Sequence, residues 1–128
     1  QVATAYPNAG LILQAPITNA EEMKDVLLEE NVSWLLRWSV SVELSPVLYE
    51  LDNLKPIKKL TSPLLIMTGD NDNVTPPWMG KKLYKTALCS NKEFVPITNG
   101  THNDIFFTSD IRKTQYIKAM NKFLNPKK

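Results

Sequence analysis

The chain has 128 residues, of which 43% are hydrophobic and 22% charged, and it carries a net charge of +2. This is the size and composition of one ordinary globular domain. The lysines are spread over Lys55, Lys58 and Lys59, Lys81 and Lys82, and Lys127 and Lys128, without aromatic interleaving, which excludes the clustered basic surface of a nucleic-acid binder. No apolar run approaches the roughly 18 residues of a membrane span, and the opening QVATAYPNAG lacks the charged and apolar regions of a signal peptide. The chain starts on Gln1 rather than Met, so an upstream segment is expected. The single cysteine, Cys89, forbids an internal disulfide and fits a reducing compartment such as the cytoplasm.

In chain order, Gln1 to Tyr6 reads as the tail of a helix that stops before Pro7. Gly10-Leu-Ile-Leu-Gln-Ala15 is short, apolar and bounded by Gly10 and Pro16, the pattern of a strand buried on both faces of a parallel sheet. Asn19 with Glu22 three residues on predicts a helix start, and Met23, Val26 and Leu27 give that helix its apolar stripe. A second apolar stretch holds Val32, Trp34, Leu35, Leu36, Trp38 and Val40. From Ser45 to Pro63 the chain is mixed, with Pro46, Pro56 and Pro63 as breakers. Residues 19–57 therefore form an insertion, longer than a usual crossover.

Leu64 to Gly69 is a second buried strand, followed by the loop Asp70 to Pro77. Trp78 to Leu88 carries Met79, Leu83, Ala87 and Leu88 at helical spacing. Glu93 to Ile97 is a third strand, and Pro96 places it at a sheet edge because proline cannot donate to a ladder. After the loop Thr98 to Asp104, a last helix runs from Ser109 to Leu124 and ends at Asn125-Pro126. Ile111, Ile117, Met120 and Leu124 are its expected buried stripe. Alternation of strands and helices implies an α/β fold with a parallel sheet and right-handed crossovers.

Active sites of open parallel sheets lie beyond the carboxyl ends of the strands. Two loops here leave such ends. One holds Asp70 and Asp72, and the other holds His102, the only histidine. A carboxylate that orients an imidazole fixes its tautomer, and the imidazole then serves a nucleophile as general base. Pro63-Leu-Leu-Ile-Met-Thr-Gly-Asp-Asn-Asp-Asn-Val-Thr-Pro-Pro77 resembles the acid-bearing strand and loop of α/β-hydrolases of the serine aminopeptidase and esterase branch, which read P-x-L-x-x-x-G-x-x-D-x-x-x-P. Thr98-Asn-Gly-Thr-His-Asn-Asp104 resembles their histidine loop, G-x-H-N or G-x-H-x.

The resemblance implies that Asp72, three residues after Gly69, is the catalytic acid rather than Asp70, and that His102 is the catalytic histidine. It implies a partial α/β-hydrolase fold over residues 1–128, with three parallel strands, flanking helices and residues 19–57 as a helical cap or lid. It also implies hydrolysis of a small-molecule or peptide ester, thioester or amide by a Ser–Asp–His triad, with no cofactor. Gln1 to Ala15 would match the end of the helix after the nucleophile and the strand next to it.

The nucleophile elbow G-x-S-x-G does not occur. The serine is expected upstream of Gln1, and these 128 residues alone are expected to be inactive. The alternative is a non-catalytic hydrolase half that binds a partner or forms a homodimer through the strand edge at Gly10.

Other readings fail on spacing. In Asp70-Asn-Asp-Asn, a calcium loop would need glycine where Thr75 stands and glutamate where Lys81 stands. One histidine and one cysteine make a poor zinc set. Cys89 lies near a helix end, not on an elbow, and reads as an idle buried thiol. Asn103 and Asp104 are candidates for orienting the histidine loop. Trp34, Leu35, Leu36, Trp38 and Trp78 either line an apolar pocket or pack in core or cap. The sequons at Asn31, Asn73 and Asn99 read as chance.

Overall fold

Six consecutive residues, Leu64–Gly69 (strand β2), are fully buried in the computed structural model, which describes residues 9–106 and 110–125. The expected helix tail at Gln1 to Tyr6 and the expected boundary residues Ser109 and Pro126 lie outside the described residues. β2 is buried because it has a parallel neighbour on each side. β1 (Leu11–Gln14) pairs from Leu11 opposite Leu64 to Gln14 opposite Met67. β3 (Lys92–Ile97) pairs from Lys92 opposite Leu64 to Ile97 opposite Gly69. The sheet order is β1-β2-β3, which places the Pro96 strand at an edge as expected.

Side chains alternate across the sheet, so β2 feeds two cores. Leu64 and Ile66 pack on one face with Ile57, Leu60, Leu83, Ala87 and Cys89. Leu65 and Met67 pack on the other with Ala119, Tyr116, Met120 and Phe123. The first face is covered by the short helix α2 (Leu54–Lys58) and by α3 (Pro77–Thr86). The second is covered by α4 (Asp110–Leu124).

The α4 stripe differs from expectation. Ile111, Ile117 and Leu124 are 67%, 40% and 60% exposed. Met120 faces the sheet as expected, but its companions there are Tyr116, Ala119 and Phe123. These positions follow the i, i+3, i+4, i+7 spacing of one helical face, and the Tyr116 hydroxyl meets the Gln14 side-chain oxygen at 3.2 Å. Likewise Leu88 is 77% exposed, because α3 has ended at Thr86. Lys92 Nζ donates to the carbonyls of Tyr84 and Ala87 there, at 2.9 and 2.6 Å.

The excursion between β1 and β2 begins with α1 (Ala20–Asn31), capped as expected by the Asn19 side chain, which accepts from Glu22 N at 2.8 Å. Val26 is buried, but Leu27 is 48% exposed. Arg37 closes the other end by donating to the Glu29 and Val32 carbonyls at 2.8 and 3.1 Å. Two single turns come next, Arg37–Ser39 and Pro46–Glu50. The chain then returns to its point of departure. Ala20 N donates to Leu51 O at 3.0 Å and Asn53 N to Thr18 O at 2.8 Å, and the Asn53 side chain donates to Ile17 O at 3.0 Å.

Glu22 also pairs with Lys82 of α3 and accepts from Thr18 Oγ1 at 2.5 Å. Burial alone would raise its pKa, but the bonds from Lys82 and Thr18 together hold it below the usual value. The excursion is thus closed at its neck and tied to the helix behind β2. Beyond the neck the apolar stretch is largely in solvent: Trp34 and Trp38 are 75% and 87% exposed.

Removing buried volume from β2 should cost far more than altering an equally apolar exposed site. We expect Leu65→Ala to lower unfolding stability by about 2–5 kcal/mol, and Leu88→Ser to change it by about 0.5 kcal/mol or less. Urea unfolding of both variants checks this.

Candidate active site

β2 and β3 end side by side, and the loops that leave them touch through backbone. A Cβ built on Gly69 would lie 2.2 Å from the Gly100 carbonyl oxygen, and one on Gly100 would lie 3.0 Å from Gly69 Cα. Gly69 is therefore required by a close approach that any side chain would block, while a side chain at Gly100 would be tight. Asp70 N donates to Ile97 O at 3.1 Å, Asn71 N to Gly100 O at 3.0 Å and Gly100 N to Ile97 O at 3.0 Å. Asn99 takes the left-handed turn conformation at φ 55°, which asparagine tolerates better than most residues.

This junction aims the two loops at each other. Asp72 is 3% exposed. Its Oδ1 accepts from Val74 N at 2.9 Å and Thr75 N at 2.8 Å, a local turn that fixes the carboxylate plane. Its Oδ2 meets Thr75 Oγ1 at 2.8 Å and His102 Nδ1 at 3.1 Å. Asp70 is exposed and its side chain has no such role, so Asp72 is the carboxylate brought to His102. The imidazole is inward at Nδ1 while 34% of its side-chain surface stays open. None of these bonds engages Nε2, which leaves that nitrogen available for proton transfer.

The histidine loop is braced from α4. Thr101 donates to Asp104 Oδ1 through its N–H at 2.6 Å and its hydroxyl at 2.7 Å. Arg112 pairs with Asp104 Oδ2 and donates to the Asp104 carbonyl at 3.3 Å. Gln115 and Thr98 exchange two hydrogen bonds of 2.9 and 3.0 Å. Asp104 therefore orients the loop, while Asn103 is exposed. Cys89 is 7% exposed in the core and lies at the opposite end of the strands, where Asn91 O accepts from Leu64 N. Six strand residues span about 20 Å, too far for Cys89 to reach His102. Trp78 is 44% exposed.

Sequence reasoning missed Thr75, which touches both Asp72 and His102. The one signal for it was a hydroxyl residue three positions after a turn-forming aspartate. Among the described residues, no three His, Cys, Asp or Glu side chains are grouped to hold a metal, and no helix is long and apolar enough to cross a membrane.

No protein-family model matches the chain. An α/β hydrolase, MGS-M2, from a Medee basin deep-sea metagenome library superposes with a TM-score of 0.62 at 18% identity, over 98% of this chain and 60% of that one. The esterase domain of a Rhodothermus marinus protein gives 0.63 at 10% identity, over 96% and 55%. The chain has a partial α/β-hydrolase fold. A third α/β hydrolase, MGS-MChE2, from lagoon sediments of Mar Chica, Morocco, gives 0.58 at 18% identity, over 94% and 53%. The chain thus spans 53–60% of the length of these hydrolases. In sequence it is 40% identical, over 43 residues, to an uncharacterized membrane protein of Saccharomyces cerevisiae, YNL320W, covering 34% of this chain and 15% of that protein.

The glycine junction of this hydrolase fold makes a direct prediction. Gly69→Ala should lower stability by about 1–3 kcal/mol and separate the loops. The measurement is urea unfolding, with the contact between the Thr75 and His102 side chains monitored by nuclear Overhauser effect. An unchanged stability and an intact contact would contradict the junction's role.

Proposed function

We propose that these residues supply the acid and the base of a serine hydrolase that cleaves ester, thioester or amide bonds in a small molecule or peptide. The observation that carries this reading is the 3.1 Å approach of Asp72 Oδ2 to His102 Nδ1, on neighbouring loops at the carboxyl ends of adjacent parallel strands. In this reading Asp72 keeps the proton on Nδ1 and stabilises the imidazolium. Nε2 takes the proton of a serine hydroxyl as that oxygen attacks the carbonyl carbon, then delivers it to the leaving group. The triad needs no cofactor. The serine and the oxyanion donors would come from a segment preceding Gln1. The insertion of residues 19–57 serves as the cap. Its hydrogen-bonded neck at Thr18, Ala20, Leu51 and Asn53 supports a unit that leaves and rejoins the sheet at one place.

A second reading, a binding or dimerising module, is favoured by one specific feature. Among the described residues β1 ends the sheet, and Leu11, Ile12 and Leu13 are only half-buried. On α4, Lys122 and Gln115 face β3 through Glu93 and Thr98. Ile117 and Leu124 lie on the opposite flank, by the 100° step of a helix. An apolar flank beside an unpaired strand edge favours pairing with another strand, which in a solution of this chain alone is a second copy.

The two readings have separate tests. The 128 residues alone should hydrolyse a chromogenic ester no faster than their His102→Ala variant. In a polypeptide extended to include the elbow, Asp72→Asn should lower kcat by about 10⁴-fold, whereas Asp70→Asn should leave it near the parent value. Equal activity of the Asp72→Asn variant would sink the catalytic reading. For the association reading, light scattering of the isolated chain should give twice the monomer mass, and a strictly monomeric mass would contradict it.

A further inference from the structure

Thr75 Oγ1, Asp72 Oδ2 and His102 Nδ1 form a triangle with sides of 2.8, 3.1 and 3.0 Å. Thr75 is 4% exposed, and its own N–H is held by Asp72 Oδ1 at 2.8 Å. Pro76 comes next in the chain, which restricts the Thr75 backbone further. The hydroxyl is therefore placed by the same turn that places the carboxylate.

A hydroxyl has one hydrogen to give and two lone pairs to offer. The hydrogen can point at Asp72 Oδ2 or at His102 Nδ1. Turned to the imidazole, it would leave Oδ2 without a donor, on a carboxylate side chain that is 0% exposed, and burial of an unsatisfied charged acceptor is costly. Turned to the carboxylate, it makes a charge-assisted bond. Nδ1 then faces two acceptors, the carboxylate oxygen and the hydroxyl oxygen, and only a protonated Nδ1 suits that pair.

We infer that Thr75 is a positioning residue of this site, whose hydroxyl saturates Asp72 Oδ2 and locks His102 in the Nδ1–H tautomer with Nε2 free as the base. The inference rests on the acid–base reading of Asp72 and His102 and adds the group that holds the pair in register. In this role Thr75 acts through its contacts with Asp72 and the imidazole.

Valine has the shape of threonine with a methyl in place of the hydroxyl. That methyl would sit about 3 Å from Nδ1, inside the roughly 3.5 Å at which carbon contacts become comfortable. Thr75→Val should therefore push the ring off the carboxylate. Thr75→Ser keeps the hydroxyl and should restore the parent arrangement. Thr75→Ala removes the hydroxyl without adding bulk.

His102 is the only histidine, so nitrogen-15 imidazole spectra of the labelled 128-residue chain show a single ring. With the ring neutral, the parent and Thr75→Ser should each show one tautomer, protonated at Nδ1 and bare at Nε2. Thr75→Val should show both tautomers as its methyl pushes the ring off the carboxylate. Thr75→Ala should instead keep the proton on Nδ1, facing Asp72 Oδ2, with an Nδ1 resonance shifted from the parent because the hydroxyl oxygen no longer shares that proton. Backbone amide spectra report folding, and if Thr75→Val does not fold, the Ala and Ser pair decides. A parent-like imidazole spectrum in Thr75→Ala overturns the inference, as does a Thr75→Ser spectrum that matches Thr75→Ala. Asp72→Asn separates the two levels. If it alters the imidazole spectrum while the Thr75 variants do not, the acid–base pair stands and the role of Thr75 falls. If none of the variants alters it, the pairing itself is wrong.

Discussion

Where β2 and β3 end, the Gly69 and Gly100 backbones approach more closely than a side chain on Gly69 would allow. The geometry of the site depends on that contact. Gly69 is the last residue of a strand buried from both sides, so its position is set by the core. Gly100 is tied back to Ile97, the buried end of β3. Asp72 and His102 lie within three residues of these glycines. Their side chains are therefore positioned by the sheet, which is what the proposed acid–base role requires.

The support around the pair is polar and local. Asp72 is oriented by its own turn, and His102 by Asp72 and Thr75. The histidine loop is pinned to α4 by Asp104 with Arg112 and by Thr98 with Gln115. Each bond alone is modest, on the order of 1 kcal/mol. Their joint effect is to leave the imidazole few orientations. The other half of the chain is less constrained. Among the described residues β1 has one neighbour, and the excursion past Asn31 keeps Trp34 and Trp38 in solvent. The surface of this partial α/β-hydrolase fold is therefore held by hydrogen bonds around Asp72 and His102, and among the described residues it is apolar beside β1.

Much of this was legible in the residues. Leu64 to Gly69 announced itself by an apolar run between Pro63 and a loop, and its burial on both faces requires neighbours on both sides. Pro96 marked an edge strand because it lacks an N–H. Asn19 with Glu22 marked a helix start, and the G-x-x-D and G-x-H spacings marked the loops that meet. The features that were not legible depended on packing across the chain. The face of α4 was misread because isoleucine outranks tyrosine in hydrophobicity. The sheet selects by helical spacing and by what Tyr116 can bond. The exposure of Trp34 and Trp38 could not be read from an apolar pattern that fits core, cap and pocket alike. Thr75 was missed because its importance lies in a contact 27 residues away.

The most direct measurement on the central claim is the reading frame immediately upstream of Gln1. If Asp72 and His102 serve a serine, a strand, a G-x-S-x-G elbow and a helix should occur within about 20 residues of it. A frame that begins at Gln1, or that runs upstream without an elbow, would contradict the hydrolase reading and leave the pair without a nucleophile to activate.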